Sequence, residues 1–550
     1  MNLQGLMQDQ PLLISSLITH AERYHGDVEI VSHLHGGQVR RSNWRQVGQR
    51  ARRFAQALGG LGVQVGDRVA TLAWNTDRHL ELYYAVAGSG AVMHTVNPRL
   101  FPEQIAYIID HAADSVVCFD LDFADLLVKL APQLPKVRRY VAMCAPEQLP
   151  DLALAGLCCY EQLLADSAPS HDWPQIDERS ASSMCYTSGT TGNPKGVLYS
   201  HRSTLLHSFA ICAADGLGLS AMDSVLLSVP MFHVNAWGVP YAAAMVGAKL
   251  VLPGSQLSGE RLYAHLLQEG CTLSLGVPTV WLGLFQHLDS LGAAADRARI
   301  RLNRVVIGGS AAPRALIERF EHDLGVYVIQ AWGMTETSPV ATVARLLPKH
   351  EGQPLDARFA VQARQGRAIF GVEVAVFDSE NQRLPHDGKS VGEIRVRGPW
   401  VLSGYYGQTA GSALDAQGWF STGDVAYIDP DGYVQITDRS KDVIKSGGEW
   451  ISSIDLENAA MGHPQVREAA VIGVAHSKWQ ERPLLIVVPK PGETLDPQAL
   501  LAFMAERVAR WWLPDDVVLV DELPHTATGK LLKTRLREQF RGHRLPTDPA

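Results

Sequence analysis

The chain has 550 residues, too many for one hydrophobic core, so at least two domains are expected. Its 46% apolar and 19% charged residues are ordinary for a globular protein. A net charge of −8 argues against a nucleic-acid or anionic-membrane surface binder, though local basic patches could still hold phosphates.

Residues 1–23 lack a basic leader region and carry Asp9, so they do not read as a signal peptide. The spacing of Leu12, Leu13, Ile14, Leu17 and Ile18 suits a short buried helix. A helix is predicted over 44–61, ending at Gly59 and Gly60, followed by a strand over 68–73. Further strands are predicted at 115–119, 249–252, 272–276 and 304–307, with helices near 259–269, 280–288 and 314–322. Such alternation predicts parallel α/β sheets with ligand sites at strand carboxyl ends. The most apolar window, 225–252, is broken by Pro230, His233, Asn235 and Pro240. It reads as a strand–loop–helix around a pocket and not as a transmembrane span, while peripheral membrane contact stays open.

Near residue 395 the texture changes. Short β-type runs over 371–396 and 419–436, with Asp-Gly turns at 387–388 and 431–432, predict a β-rich subdomain. From Asp438 a compact α+β unit is expected, with strands at 469–474, 484–488 and 517–523 and a helix at 497–511. Residues 543–550 read as a polar tail. Seven scattered cysteines, without zinc-ligand spacing, are expected to be reduced thiols of a cytoplasmic protein.

The richest stretch is 186–197, YTSGTTGNPKGV. Gly189 and Gly192 let the backbone approach a ligand closely. Thr187, Ser188, Thr190 and Thr191 supply donors for phosphate oxygens alongside backbone N–H groups, and Lys195 adds a mobile positive charge. Gly196 follows that lysine with no Ser or Thr directly after it, so this is not the loop G-x-x-x-x-G-K-[ST]. The run resembles the phosphate loop of the adenylate-forming enzymes, which include acyl-CoA synthetases, luciferases and peptide-synthetase adenylation domains. Further motifs follow in that family's order: QAWGMTET at 330–337, STGD at 421–424, ITDRSKDVIKSGGEW at 436–450 and PHTATGKL at 524–531. MFHVNAW at 231–237 and GGSAAP at 308–313 are weaker signals of the same kind.

The resemblance implies a large N-terminal domain, 1–437, of two α/β subdomains plus the β-rich subdomain. A hinge at 438–443 then leads to a small mobile α+β C-terminal domain, 444–550. It implies ATP, Mg²⁺ and CoA as the small-molecule partners. In the adenine motif, Gln330, Ala331, Trp332, Gly333, Met334 and Thr335 fall at nucleotide positions, with Trp332 stacking on adenine and Thr335 meeting the α-phosphate. Trp stands where Tyr is more frequent; the flat π-face is kept and the hydroxyl lost. Glu336, with Thr187, would hold Mg²⁺, which favours oxygen ligands. Asp424 would anchor the ribose and Arg439 would contact it.

Lys441 falls at the hinge position. Lys445 and Gly447 match positions that face the site only after rotation, and Gly447 and Gly448 would let pantetheine pass; Ile436 and Trp450, at the ends of this segment, also fall at cofactor-binding positions. Lys530 matches the lysine that reaches from the small domain into acyl-adenylate formation. His233 would sit beside the acid's carboxyl, Trp237 matches an aromatic gate, and Gly309, Ser310 and Ala311 would bring backbone close to adenine and the acyl group. Asn235, where amino-acid-activating domains commonly carry Asp, implies a neutral, apolar acid, and His207 could line the same pocket.

The implied activity is that of an AMP-forming acyl-CoA synthetase, closest to those for medium- or long-chain fatty acids, with a homodimer expected by analogy. Ligases for a short, aryl or methylthio-propionate-like acid stand beside this reading, as does a non-catalytic acyl-adenylate-binding protein.

Overall fold

A computed structural model describes residues 5–34, 37–168, 171–187, 193–439, 441–447, 449–526 and 530–548. Of the motif residues, Ser188, Gly189, Thr190, Thr191, Gly192 and Gly448 lie outside the described residues, as does the side chain of Trp450.

Two parallel sheets arise from short apolar runs buried on both faces, as helix-covered parallel strands require. The first is seven-stranded, in the order Leu157–Cys159, Arg139–Ala142, Val116–Phe119, Arg68–Leu72, Val92–Thr95, Ala181–Tyr186, Gly196–Ser200. All its pairs are parallel except the last, where Tyr186 lies opposite Gly196 in an antiparallel hairpin. The second sheet has nine strands. Six parallel ones, from Glu29–His33 across to Tyr327–Gly333, are edged by antiparallel partners at Val39–Asn43 and at Val340–Val343 with Arg367–Ala368.

The helix Asp77–Gly88 joins these layers. Its Thr76 side chain caps the first turn by accepting from the His79 amide. Leu80, Tyr83, Tyr84 and Val86 share one core with Ile30 and Leu250 of the nine-stranded sheet and with Met93 and Val116 of the seven-stranded one. Burying that many large apolar side chains contributes roughly 1.5–3 kcal/mol for each.

The β-rich subdomain is an antiparallel sheet of Glu373–Phe377, Gly392–Arg397, Phe420–Ile428 and Val434–Arg439. The run STGD is therefore not a free turn. It lies inside the strand Phe420–Ile428, where the register shifts and Gly423 takes φ +74°. Four residues separate the end of this sheet at Arg439 from the first strand of the small domain, Ile444–Ser446. The small domain's sheet pairs Val466–His476 with Gln480–Pro489 along ten partners and adds Asp516–Leu519 in parallel. The helices Ser453–Met461 and Lys533–Gln539 pack against Val466–His476.

The fold class expected from sequence is the one observed. Several boundaries differ: the helix predicted over 497–511 is Pro497–Ala505, with a 3₁₀ turn at Arg510–Trp512, the strand predicted over 517–523 is Asp516–Leu519, and those predicted over 469–474 and 484–488 extend to Val466–His476 and Gln480–Pro489. Met504 is the last residue of that helix buried in the core; beyond it Val508, Trp512 and Leu513 pack against the same cluster from outside the helix. No helix among the described residues is long and apolar enough to cross a membrane.

Candidate active site

Two adjoining cavities open where the carboxyl ends of the nine-stranded sheet meet the β-rich sheet and the small domain. One, of about 330 Å³, is walled by Gly309, Ser310, Ala311, Gln330, Asp424 and Ile436. The other, of about 270 Å³, is walled by Thr187, Lys195, His233, Trp237, Thr335 and Glu336. Ala331, Trp332, Gly333, Met334, Arg439 and Lys530 border both. Residues scattered over more than three hundred positions thus converge on one cleft.

On the first side, Asp424 and Arg439 are cross-strand partners, with Arg439 Nε 3.3 Å from Asp424 Oδ1. The second carboxylate oxygen accepts a hydrogen bond from Trp332 Nε1 at 2.9 Å. Trp332 therefore does more than present a flat ring in place of tyrosine. Its indole N–H fixes the carboxylate expected to hold ribose, and Asp424 is buried between the two donors. Gln330 Oε1 accepts from the Ala312 amide and so pins the turn that carries Gly309 and Ser310.

On the second side, the phosphate-loop hairpin is closed at its stem. The Thr187 amide donates to the Lys195 carbonyl at 2.9 Å, and the Lys195 amide to Thr187 Oγ1 at 3.4 Å. The 335–336 segment is stitched to the frame by Tyr199 Oη donating to the Thr335 carbonyl at 2.8 Å and the Leu402 amide donating to the Glu336 carbonyl at 2.8 Å. Burial raises the Glu336 carboxyl above its ordinary range, opposed by a hydrogen bond from Tyr405 and the charges of Lys530 and Arg439.

Tyr405 was not singled out by sequence, because nothing in the loop GYYG marks one tyrosine over its neighbour. Its hydroxyl donates to Glu336 Oε1 at 2.9 Å, and its ring lies 4.9 Å beneath the Lys195 ammonium. One side chain thus holds both the carboxylate and the cation of the phosphate end. Tyr405→Phe keeps the ring and deletes the donor. It should weaken binding of the nucleotide that the resemblance implies by roughly 10- to 100-fold, the worth of a hydrogen bond to a charged group. Calorimetric titration with ATP checks this, and an unchanged affinity refutes it.

Lys530 enters from the small domain, its carbonyl accepting from the Thr526 amide at 2.7 Å. Its Cε lies 3.5 Å from where a Cβ on Gly309 would stand. Enclosure in protein lowers its pKa, reinforced by Arg439 and opposed by Asp424 and Glu336. His233 faces the same space. Its pKa falls to about 3 through loss of water and then the charge of Lys530, so the ring is neutral near pH 7.

His233 leads into an unusual turn. Val234, Asn235, Ala236, Trp237 and Gly238 have φ of +46°, +50°, +48°, +58° and +78°, a left-handed turn of five residues. Left-handed geometry costs about 1–2 kcal/mol per non-glycine residue. The loop before it is clamped by Asn75, whose Nδ2 donates to the Leu227 and Val229 carbonyls and whose Oδ1 accepts from the Met231 amide. Trp237 leaves the turn with its ring against Gly308, where a Cβ would stand 3.0 Å from the indole.

Two expectations need correction. His207 does not line the cavity; it is buried, with Nε2 accepting from the Val340 amide at 3.1 Å and its pKa held to about 3 by burial. Asn235 also points away from the acid cavity, into hydrogen bonds with the seven-stranded sheet, so its side chain does not report on the polarity of the acid. Lys441 borders the first cavity. Lys445 and Gly447 border neither; their amides bond to Glu481 Oε2 and to the Trp479 carbonyl, each at 2.9 Å.

Comparison with known proteins follows this geometry. Residues 17–406 match the AMP-binding enzyme family and 455–530 match the AMP-binding enzyme C-terminal domain. The chain is 51% identical to the 3-methylmercaptopropionyl-CoA ligase of Ruegeria lacuscaerulensis over 98% of this chain and 99% of the relative. It is 50% identical to the medium-chain-fatty-acid–CoA ligase of Ectopseudomonas oleovorans and 48% identical to the long-chain-fatty-acid–CoA ligase of Thermus thermophilus, each over 98% of this chain and 97% of the relative. The crystal structure of an anthranilate CoA ligase with anthranoyl-AMP, 24% identical, shares the fold with a TM-score of 0.84, covering 97% of this chain and 99% of that one. Matched in order by both family domains and sharing half its residues with full-length relatives, the chain belongs to the AMP-binding enzyme family, among its acyl-CoA synthetases.

Proposed function

We propose that this enzyme converts a carboxylic acid with an apolar tail into its acyl-adenylate and then into the CoA thioester, and that medium- or long-chain fatty acids are its substrates. The observation that carries the reading is the meeting of Lys530 with His233, Glu336, Asp424 and Arg439 at one cleft. A carboxylate resists nucleophiles because of its charge and its poor leaving group. In the first step a carboxylate oxygen attacks the α-phosphorus of ATP and the bond to pyrophosphate breaks. The ammonium of Lys530 offsets the repulsion between the two anions, and Thr335 and the loop around Thr187 and Lys195 hold phosphate oxygens. Asp424, Arg439 and Trp332 keep the nucleoside fixed. In the second step the CoA sulfur attacks the acyl carbon, AMP leaves with the bonding pair, and the thiol proton is lost; the thiolate is the competent nucleophile.

Thr187 and Glu336 present oxygen donors to the same cavity, the set Mg²⁺ accepts when phosphates complete its shell. When bound, the ion would neutralise phosphate charge. Burial makes the Glu336 proton harder to remove, so that affinity should weaken toward acid pH.

The reading divides the chain into a large domain, 1–437, a hinge at 438–443 centred on Lys441, and a small domain, 444–550. Lys530 occupies the cleft while Lys445 and Gly447 lie off it, which supports assigning this arrangement to the adenylation step. Rotation about Lys441 would bring Lys445, Gly447 and Gly448 round for CoA. Seven unpaired cysteines support a reducing, cytoplasmic setting. The homodimer rests on the resemblance, and sedimentation velocity tests it.

The acid end of the cleft is walled by Val229, Pro230, Val234, Trp237, Val277 and Val340, which offer an apolar tail no charged partner. Trp237 packed on Gly308 favours a second reading, a compact acid such as 3-(methylthio)propanoate, since a longer chain must displace the ring. AMP release should be measured with saturated acids from C2 to C18, aryl acids and 3-(methylthio)propanoate. A kcat/KM maximum at C8 or longer supports the first reading, and a maximum at the sulfur acid the second. Turnover confined to aryl acids defeats both.

A further inference from the structure

Among the described residues, Val234–Gly238 is the one place where positive φ angles run consecutively. Little in its sequence favours that hand: Val234 is β-branched, and Ala236 and Trp237 have no local polar group to compensate. Asparagine enters left-handed geometry more readily and can bond locally through its amide. Asn235 uses its amide outward. Nδ2 donates to Ser183 Oγ at 3.0 Å, and Oδ1 accepts from Cys185 Sγ at 3.5 Å. Both partners sit on the strand Ala181–Tyr186, which leads directly into Thr187 and the phosphate loop. Inside the turn the Ala236 amide bonds to the His233 carbonyl at 3.1 Å and the Gly238 amide to the Asn235 carbonyl at 3.0 Å. His233 at one end and Trp237 at the other border the acid cavity; Asn235 does not.

We infer that Asn235 is a positioning residue. It locks the left-handed turn onto the strand of the phosphate loop, and so fixes His233 and Trp237 relative to the phosphates that the acid must meet. The unit is mechanical: a slip at Asn235 would move the carboxyl contact and the pocket wall together, toward or away from Thr187. This inference rests on the acyl-adenylate reading proposed for the same site.

The test uses ATP–pyrophosphate exchange by the full-length enzyme, with octanoate and, in parallel, 3-(methylthio)propanoate. Wild-type exchange with neither acid would refute the underlying reading, and the inference with it. Asn235→Gly keeps left-handed freedom but loses both anchors, and it should raise the acid KM by about tenfold or more, as a reacting group displaced by about an ångström does. Asn235→Ala, which loses the freedom as well, should do worse. Ser183→Ala, which removes one anchor and leaves the turn's sequence intact, should shift the acid KM in the same direction by less. In all three the KM for ATP should stay at the wild-type value. The inference is overturned if Asn235→Gly and Ser183→Ala keep the wild-type acid KM. It is equally overturned if the acid and ATP constants rise in parallel with a falling melting temperature, which would mark a general structural role.

Discussion

Lys530→Ala should slow acyl-adenylate formation by about 10²–10³-fold, the usual cost of deleting one preorganised charge from a transition state. Thioester formation from supplied acyl-adenylate and CoA should survive, because the anions that Lys530 brings together have by then already reacted. Equal loss of both half-reactions would remove the lysine's assigned role. The same residue sets a pH limb. Enclosure and Arg439 lower its pKa, so the ammonium is lost at a lower pH than for an exposed lysine. Only the protonated form offsets the repulsion, so kcat/KM for the acid should fall as pH rises through that pKa, approaching tenfold per unit beyond it. Lys530→Arg, which stays charged, should lack this limb even if slower at neutral pH. A limb that persists unchanged in the arginine variant would assign it to another group.

The second large effect is expected at Asp424. Asp424→Ala removes the group that both Trp332 Nε1 and Arg439 face, leaving a buried indole N–H without its acceptor. Losing several charge-assisted contacts at once should raise the KM for ATP by roughly 10²–10³-fold, while the acid pocket is untouched. Trp332→Phe tests one part of this, since it keeps a flat ring, though a smaller one, and deletes the N–H; its cost should be about tenfold. A phenylalanine variant as damaged as Asp424→Ala would mean that Trp332 contributes as much to nucleotide binding as the carboxylate it holds. Nucleotide affinity measured by calorimetry in the absence of acid separates the two.

Much of the cleft was legible in the sequence because the residues proposed to hold the nucleotide sit in contiguous strings. Thr187, Trp332, Glu336, Asp424, Arg439 and Lys530 each sit in a short motif, and the structure brings all six to one cleft. What stayed hidden depends on direction and partnership. Asn235 lies among pocket residues in sequence, and His207 is a histidine the pocket could use, yet both side chains turn into the frame. Tyr405 and Asn75 carry no motif, and their roles exist only through partners 69 residues or more away in the chain. The left-handed sense of Val234–Gly238 is also invisible, because local preference points the other way and only the tertiary anchor decides it. The alternation of strands and helices, by contrast, is a local signal, and it gave the two parallel sheets before any contact was known.

The strand Val434–Arg439 pairs with Phe420–Ile428 up to its final residue, where Arg439 lies opposite Asp424. The pair proposed to hold the nucleoside thus sits at the last rung of the β-rich sheet, just before the four-residue gap to Ile444. In the proposed rotation about Lys441, both members of the pair precede the pivot in the chain. The half-finished product would remain moored to the stator while the rotor exchanged its lysine for the thiol channel. A labile mixed anhydride need never be released to water between one chemistry and the next.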